Sequence, residues 1–290
     1  MAIFRIFRIF RSLRVQLLAA CFLCWPGCAL LQSLLGSSAQ PTASITGVHV
    51  SDLSLVELTL VFDVAISNPY AVPLPLVNID YALASQGQPF LHGQAALQGE
   101  VPAGQSKTVS LPAKVVFVEL LNLLQSVRPG AIIPYRGTLG LSVNAPVLGV
   151  LRLPLEKEGT LPVPSPPTVS VASVHWQNLS LTGARGVLQL RVTNPNAFAF
   201  DVAGLDYDIK VGGHSLAKGG LVNAASVAAG AAQELGINVS ISTAQAGMAI
   251  LQLLQGQSSS YSLGGSLAIG TPFGPLRVPV SVAGQVPFVH

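Results

Sequence analysis

Apolar and polar residues alternate along two separate stretches of the chain, residues 58–70 and residues 186–196, and both stretches end at or beside an Asn-Pro pair. Their apolar positions are Phe62, Val64 and Ile66 in the first stretch and Leu188, Leu190 and Val192 in the second. A period of two residues is typical of a strand with one buried face. Each stretch therefore predicts a half-buried β-strand.

Each predicted strand stops at a pair of residues that ends a β-ladder for two separate reasons. Proline has no N–H to donate, and it restricts the residue before it to extended geometry. Asparagine can accept a hydrogen bond from the backbone two residues later, which forms an Asx-turn. The full motifs are Asn68, Pro69 and Tyr70 in the first stretch and Asn194, Pro195 and Asn196 in the second. Repetition of such a common turn signal indicates a duplicated unit.

Other landmarks repeat in the same order, which extends the duplication to most of the chain. Asn194 follows Asn68 by 126 positions, and Tyr207 follows Tyr81 by the same number. Later landmarks drift from this offset by a few positions, as loop insertions between duplicated domains would cause. The expected boundaries are residues 43–164 for a first unit, residues 165–167 for a proline-rich hinge and residues 168–290 for a second unit.

Each unit also contains one segment with a helical spacing of apolar residues. The positions i, i+3, i+4 and i+7 are held in the first unit by Phe117, Leu120, Leu121 and Leu124. The same positions are held in the second unit by Gly247, Ile250, Leu251 and Leu254. This spacing predicts one amphipathic helix per unit, and we expect Pro129-Gly130 to end the first one.

Seven short strand patterns, separated by turns rich in glycine and proline, complete each unit. Short strands at this spacing are typical of a β-sandwich. The predicted fold class is mainly β, with two tandem immunoglobulin-like (fibronectin III-like) antiparallel β-sandwiches and one α-helix in each. The helix is expected to cover one open end of its sandwich.

Charge is scarce in this chain and unevenly placed. Charged residues make up 9% of the sequence, against about 25% in ordinary soluble domains. Four arginines in the first 14 residues account for the net charge of +3, because the remainder holds 11 basic and 12 acidic residues. A nearly neutral body without a basic run predicts no nucleic-acid partner. No stretch after residue 40 has the about 20 apolar residues that cross a bilayer.

The N-terminus resembles a bacterial lipoprotein signal. Residues 1–14 are basic, residues 15–25 are apolar, and a small residue, Gly27, precedes Cys28. The resemblance implies a signal peptide over residues 1–28 and lipidation of Cys28, which would anchor the chain to a membrane. Because no aspartate follows Cys28, the resemblance also implies an outer-membrane lipoprotein of the cell envelope that faces the periplasm.

Residues 29–42 are then expected to form a tether. Other assignments stay open, because Cys21 follows a better match to the lipoprotein box, although only a short apolar run precedes it. An ordinary cleaved signal and an uncleaved anchor over residues 15–35 are the remaining alternatives. All three cysteines lie at or before Cys28, so the body holds neither a disulfide nor a cysteine metal site.

The two motifs resemble those of the late embryogenesis abundant type 2 family, also called the water-stress-and-hypersensitive-response (WHy) domain. The matching features are the strand ending in Asn-Pro, the Leu- or Ile-x-Tyr strand at Tyr81 and Tyr207, a small-residue turn and the late helix. The resemblance covers nearly all of residues 43–290, although Tyr70 replaces the commoner second asparagine. It implies an immunoglobulin-like sandwich, no catalytic activity and an association with desiccation tolerance. It carries no defined binding residue.

The body shows no motif that assembles a nucleophile, an acid and a base. His49 and His175 occupy equivalent positions, and a plain strand histidine is expected at both rather than a metal ligand. Asp206 and Asp208 share a strand face, where a solvated surface is expected rather than a calcium site. We therefore expect no enzyme, no cofactor and no metal.

Three functions fit these expectations. The first is a protective or binding role for a lipid-anchored envelope protein when water is lost. The second is a carrier of lipid or another hydrophobic ligand at the outer membrane, with the helix as its lid. The third is an envelope assembly scaffold that offers its edge strands to other proteins.

Overall fold

The computed structural model describes residues 40–146, 148–180, 183–211, 214–221, 225–242 and 260–285. Within these residues the chain is mainly β, and its strands form four antiparallel sheets in two tandem units. This confirms the predicted fold class of two β-sandwiches.

The first unit contains eight strands and one helix, α1, which joins β6 to β7. Its elements are β1 (Thr42–Leu53), β2 (Glu57–Ser67), β3 (Leu74–Ser85), β4 (Gln88–Ala96), β5 (Glu100–Val101), β6 (Ser106–Val116), α1 (Phe117–Leu123), β7 (Ile132–Ala145) and β8 (Gly149–Pro162). One sheet has the order β1-β2-β6, and the other has the order β4-β3-β7-β8 with β5 paired to β3.

The second unit repeats this topology strand by strand. Its elements are β9 (Thr168–Ser180), β10 (Gly183–Thr193), β11 (Phe200–Val211), β12 (His214–Leu221), β13 (Ala225–Val227), β14 (Ala232–Ser242), β15 (Ser260–Thr271) and β16 (Gly274–Gln285). The sheets have the orders β14-β10-β9 and β12-β11-β15-β16, with β13 paired to β11. The short strands β5 and β13 were absent from the predicted set.

The alternation that predicts β2 also explains its burial. Leu58, Leu60, Phe62, Val64 and Ile66 are buried, whereas the residues that alternate with them are half-buried. Burial of such a side chain contributes about 1.5–3 kcal/mol. The apolar faces of the two sheets meet in a core that continues through both units.

Helix α1 begins where the sequence predicts but ends earlier. It ends at Leu123, so the prediction that Pro129-Gly130 ends it is wrong. Leu124 still donates its N–H to Leu120 O at 2.8 Å, but its φ of −107° and ψ of 77° leave the helical region. The physical reason is that a seven-residue helix is stabilised by its tertiary packing rather than by its own length.

The apolar face of α1 belongs to the core. Phe117, Leu120 and Leu124 are buried, and Leu121 packs against them. The helix predicted around residues 247–254 lies outside the described residues. In the part of the chain that the structure describes, no helix has the length and apolar character needed to cross a membrane.

Strand pairing gives each unit two distinct ends. At the end that we call the corner end, β1 begins beside the end of β2, where Thr42 pairs with Ser67. The turn between β7 and β8 lies at the same end. At the opposite end, called the helix end, Ile132 pairs with Pro162 and the chain leaves β8 toward the second unit. The second unit begins at its own corner end, where Thr168 pairs with Thr193. The corner end of the second unit therefore meets the helix end of the first.

Candidate functional site

The asparagine of the first motif is a buried hub for the backbone at the corner end. Asn68 is 1% exposed, and its oxygen accepts a hydrogen bond from Tyr70 N–H at 2.9 Å, which is the predicted Asx-turn. Its side-chain nitrogen donates to the carbonyl oxygens of Val72, Val101 and Pro102 at 2.9, 3.0 and 3.1 Å. One side chain thus ties the loop after β2 to the segment between β5 and β6.

The second motif repeats this geometry residue for residue. Asn194 is fully buried and accepts from Asn196 N–H at 2.9 Å. It donates to Phe198 O, Val227 O and Ala228 O at 2.8, 3.3 and 3.1 Å. Each partner stands 126 positions after its counterpart in the first unit, so the duplication preserves the hydrogen-bond network as well as the motif.

The third residue of the second motif joins the two units. Asn196 is 3% exposed, accepts from Ser165 N–H at 2.8 Å and donates to Ser165 O at 3.0 Å. Tyr70 holds the equivalent position in the first unit, where its carbonyl accepts from Gly104 N–H at 2.9 Å. The predicted hinge is therefore held by side-chain contacts.

A glycine allows the close approach of the two units beside this contact. Gly130 donates its N–H to Val163 O at 2.6 Å and accepts from Ala197 N–H at 2.7 Å. Its φ is +92°, and a Cβ at this position would lie 2.7 Å from Pro195 O. Only glycine combines this backbone conformation with this spacing. The residue that was expected to end the helix instead forms the junction.

An open cleft of about 630 Å³ lies beside the junction. Residues of both units line it, among them His49, Tyr135 and Phe273. His49 Nδ1 lies 3.4 Å from Asp63 Oδ2, and Ser110 Oγ donates to the other oxygen of Asp63 at 2.6 Å. The sequence analysis missed this contact because Asp63 lies on the neighbouring strand.

The equivalent histidine has a different neighbour. His175 Nε2 lies 3.1 Å from Ser173 Oγ on the same strand, where both residues are exposed or half-buried. Among the described residues, no group of three histidine, cysteine, aspartate or glutamate side chains could hold a metal ion.

Most acidic side chains of the outer sheet faces have partners on neighbouring strands. Asp80 pairs with Arg152, and Asp208 Oδ2 lies 3.2 Å from Lys218 Nζ. Arg136 donates to Glu158 at 2.7 Å, and this contact raises the pKa of its guanidinium. Solvent screens exposed pairs of this kind, so each pair contributes little to the stability of the fold. They lower the net field of the surface more than they stabilise the fold.

Four tyrosines each cover a glycine on an edge strand, a feature that the sequence analysis did not identify. The pairs are Tyr81 with Gly93, Tyr135 with Gly159, Tyr207 with Gly219, and Tyr261 with Gly284. The Tyr135 hydroxyl occupies space 2.7 Å from where a Gly159 Cβ would lie. Burial raises the pKa of Tyr135. Its ring also packs edge-on against Phe62, with the ring centroids 6.4 Å apart. An aromatic ring over an edge glycine protects the weakest point of that strand.

Exposed prolines stand on four of the edge strands. They are Pro89 on β4, Pro112 on β6, Pro154 on β8, and Pro275 and Pro279 on β16. Each removes one N–H from the strand that carries it, which limits the pairing of that edge with another chain.

Of the site residues expected from the sequence, Cys28 lies outside the described residues.

Comparison with known proteins identifies a family profile and several proteins to which this chain is similar. The family profile described as "Late embryogenesis abundant protein" (LEA_2) matches residues 63–159 and again residues 189–284. The "Desiccation protectant protein Lea14 homolog" of Glycine max is 31% identical over 126 residues, which are 43% of this chain and 83% of the relative. The "Late embryogenesis abundant protein Lea14-A" of Gossypium hirsutum is 27% identical with the same coverage.

A solution structure from Arabidopsis thaliana is also similar, with 25% identity and a TM-score of 0.37 over 45% of this chain and 87% of that chain. The two profile matches cover more than half of the chain and include Asn194 and Asn68 at equivalent positions. The chain therefore belongs to the late embryogenesis abundant type 2 (LEA_2) family and carries the family's domain twice.

Proposed function

We propose that this chain is a non-enzymatic, lipid-anchored envelope protein that protects other proteins or the membrane face when water is lost. Membership of the LEA_2 family supports a role in water stress, because the relatives named above include a desiccation protectant. The observation that carries the proposal is that the edge strands contain exposed prolines and glycines that are covered by tyrosine rings.

Protection of the sheet edges matters because drying concentrates every protein in a compartment. An unprotected edge strand then pairs with the edges of other chains, and the result is aggregation. Pro112 on β6 and Pro154 on β8 each remove an N–H from an edge of the first unit. A protectant that stays folded and separate at high concentration can act as a spacer between labile proteins.

The buried corners support the same proposal. Asn68 and Asn194 each satisfy three carbonyl groups inside the protein. Hydrogen bonds that do not depend on bulk water keep these loops ordered as the solvent is removed. The sandwich then has the same shape before and after drying.

A non-enzymatic role agrees with the polar contacts of the described residues. His49 contacts one carboxylate, and His175 contacts one hydroxyl on an exposed strand face. At His49 the nearby hydroxyl of Ser110 donates to the Asp63 carboxylate at 2.6 Å rather than to the imidazole. A serine nucleophile activated by a histidine needs its hydroxyl within hydrogen-bond reach of the imidazole.

The carrier alternative is less well supported in the first unit. A lid must leave its apolar face available to a ligand, but Phe117, Leu120 and Leu124 are buried in the core. Fully buried side chains such as Phe62 and Leu141 fill the space between the sheets. A protective role therefore fits the first unit better than storage of a hydrophobic ligand.

The anchor is proposed at Cys28, after a leader at residues 1–28 and before a tether at residues 29–42. The outer membrane, facing the periplasm, is the proposed location. The test is the intact mass of the protein purified from a bacterial membrane. We expect a mass increase of acyl-chain size that disappears in the Cys28→Ser variant. Masses that differ only by the exchange of sulfur for oxygen would exclude this anchor.

The protective role is tested by drying a labile dehydrogenase with the purified chain and then measuring its recovered activity. The control is an inert globular protein at equal mass concentration. We expect higher recovery with this chain, and the soluble fraction of the chain itself should remain high after rehydration. Recovery equal to that of the control would contradict the proposal.

A further inference from the structure

Three loops at the corner end of the first unit form an uncharged surface, which we call the tip. They are residues 68–73, residues 102–105 and the described residues of the turn between β7 and β8, which are residue 146 and residues 148–150. The tip contains exposed aliphatic side chains, with Val72 at 47%, Leu148 at 58% and Val150 at 65% exposure. These are three of the eight large apolar side chains that are exposed in the described residues, and four others, Val56, Val118, Leu123 and Ile132, lie at the helix end.

The equivalent surface of the second unit is already a docking surface. Val72 and Leu148 correspond to Phe198 and Phe273, whose rings pack edge-on with centroids 5.5 Å apart. Phe273 lines the junction cleft together with Val48 and Tyr135 of the first unit. The corner end of this fold is thus an apolar contact surface that the second unit uses and the first unit leaves exposed.

The path of the chain indicates what faces the tip. Strand β1 begins at Thr42, beside Ser67, so the chain enters the first unit at the corner end. The residues between Cys28 and Gln40 can span at most about 40 Å even when fully extended. The second unit leaves from the helix end, which is the opposite side. A lipid attached at Cys28 would therefore hold the tip toward the bilayer.

We infer that the tip contacts the surface of a lipid bilayer and places Val72, Leu148 and Val150 at the headgroup boundary. This inference rests on the lipid anchor of the proposed function. Beside the tip, Lys107 donates to the backbone of Glu100 at 3.3 Å, and Arg152, two positions after Val150, pairs with Asp80. Because the tip itself carries no charge, it suits a zwitterionic lipid surface, and salt does not weaken the contact.

The test uses the full chain, expressed in bacteria and reconstituted in phosphatidylcholine vesicles. Cys21 and Cys24 are replaced by serine, and an environment-sensitive dye is attached at Leu148→Cys or, as the matched control, at Val118→Cys. Val118 is 61% exposed on α1, and the length of the strands separates it from the tip by roughly 35 Å. The parent without an introduced cysteine controls for labelling of Cys28.

With vesicles present, we expect a blue-shifted emission and a severalfold lower iodide quenching constant for the dye at residue 148 than for the dye at residue 118. The difference should persist in high salt and vanish without vesicles. Equal quenching at the two sites, or a chain that stays off the vesicles, would overturn the inference. Protection of the Leu148→Cys dye without vesicles would also overturn it, because another copy of the chain would then cover the tip.

The intact mass of the same samples separates the two ideas. If the chain is lipidated but the dyes at residues 148 and 118 are equally quenched, the anchor is supported and the contact of the tip is excluded. If the chain carries no lipid but vesicles still shield the dye at residue 148, the contact is supported and the anchor is excluded. The dye at a second position, Val150→Cys, repeats the measurement at a site that is 65% exposed.

Discussion

Asn196 holds both backbone polar groups of Ser165, because its side-chain oxygen accepts from the N–H at 2.8 Å and its nitrogen donates to the C=O at 3.0 Å. Asn196 belongs to the corner of the second unit, and Ser165 belongs to the segment that leaves the first. The same motif therefore closes a loop in the first unit and joins two units in the second. Tyr70 cannot make the second contact, since its side chain has no amide group.

Replacement of Asn196 should loosen the junction of the two units. In Asn196→Ala, both backbone groups of the half-buried Ser165 lose their partner, and the loss of such a hydrogen bond costs about 0.5–1.5 kcal/mol. We expect faster hydrogen exchange of the amide of Ser165, measured by mass spectrometry. The control is Asn144→Ala on an exposed part of β7. Unchanged exchange at Ser165 would show that the junction does not depend on this side chain.

Replacement of Asn68 should destabilise the first unit through its three accepting carbonyls. Asn68→Ala removes the bonds to Val72, Val101 and Pro102, and we expect a loss of about 3 kcal/mol in the free energy of unfolding. Guanidinium denaturation measures this loss.

The Asn68→Asp variant separates the two functions of the side chain. Aspartate keeps the acceptor for Tyr70 N–H but has no N–H of its own to donate. We expect Asn68→Asp to be destabilised as well. Wild-type stability in this variant would mean that the Asx-turn alone maintains the corner.

The cover of Gly284 by Tyr261 predicts a coupled pair of substitutions. A Cβ on Gly284 would lie 2.8 Å from the ring of Tyr261, so Gly284→Ala must displace the ring. We expect a loss of about 1–3 kcal/mol from this overpacking. In a Tyr261→Ala background the same change should cost little, and the cycle measures the coupling.

Gly264 is the matched control for this cycle, because an added Cβ there meets nothing within 4 Å. Gly264→Ala should leave the unfolding midpoint near its wild-type value. Equal losses for Gly284→Ala with and without Tyr261 would contradict the packing explanation.

The sequence predicts the parts of this fold that depend on local patterns. The alternation around Phe62 and Leu190 indicates the central strands, and the Asn-Pro pairs mark where they stop. The offset of 126 positions indicates two copies, because Asn68 and Asn194 each need the same surrounding loops. These features leave a signal within a few residues of the chain.

The features that the sequence does not predict depend on contacts between distant residues. Asn196 and Ser165 are 31 positions apart, and the tyrosines meet their glycines only after the strands have paired. The end of α1 at Leu123 is set by tertiary packing rather than by Pro129-Gly130. The tyrosine and glycine positions do repeat between the two copies, and this repetition is the signal that could have identified the covered edges.

Tyr135 makes stability depend on pH in the alkaline range. Burial raises its pKa above the ordinary value of 10.0, so the unfolded state releases this proton first as the pH increases. The contribution of the protonated Tyr135 hydroxyl to the free energy of unfolding is complete below about pH 10 and is lost as the pH rises through the folded-state pKa. We expect the free energy of unfolding to fall more steeply above pH 10 in the wild type than in Tyr135→Phe. Equal slopes in denaturant titrations would exclude this contribution.

Pro112 should protect the edge of β6 during drying. The residue is exposed, and among the described strands β6 is hydrogen-bonded to β2 alone, which makes it an edge strand of its sheet. Pro112→Thr restores an N–H and introduces a residue that favours strands. We expect little change in unfolding in dilute solution, but a lower soluble fraction after cycles of drying and rehydration, measured by light scattering and sedimentation.

The control for this prediction is Pro73→Thr, which changes an exposed proline in the loop between β2 and β3 rather than on an edge strand. Both variants lose one proline, so any difference between them comes from the position on the sheet. Two chains that meet edge to edge need free N–H groups on at least one of them, and Pro112→Thr supplies one. Equal recovery of wild type and Pro112→Thr would show that this edge does not limit association on drying. Pro112 would then no longer be an observation that supports the proposed protective role.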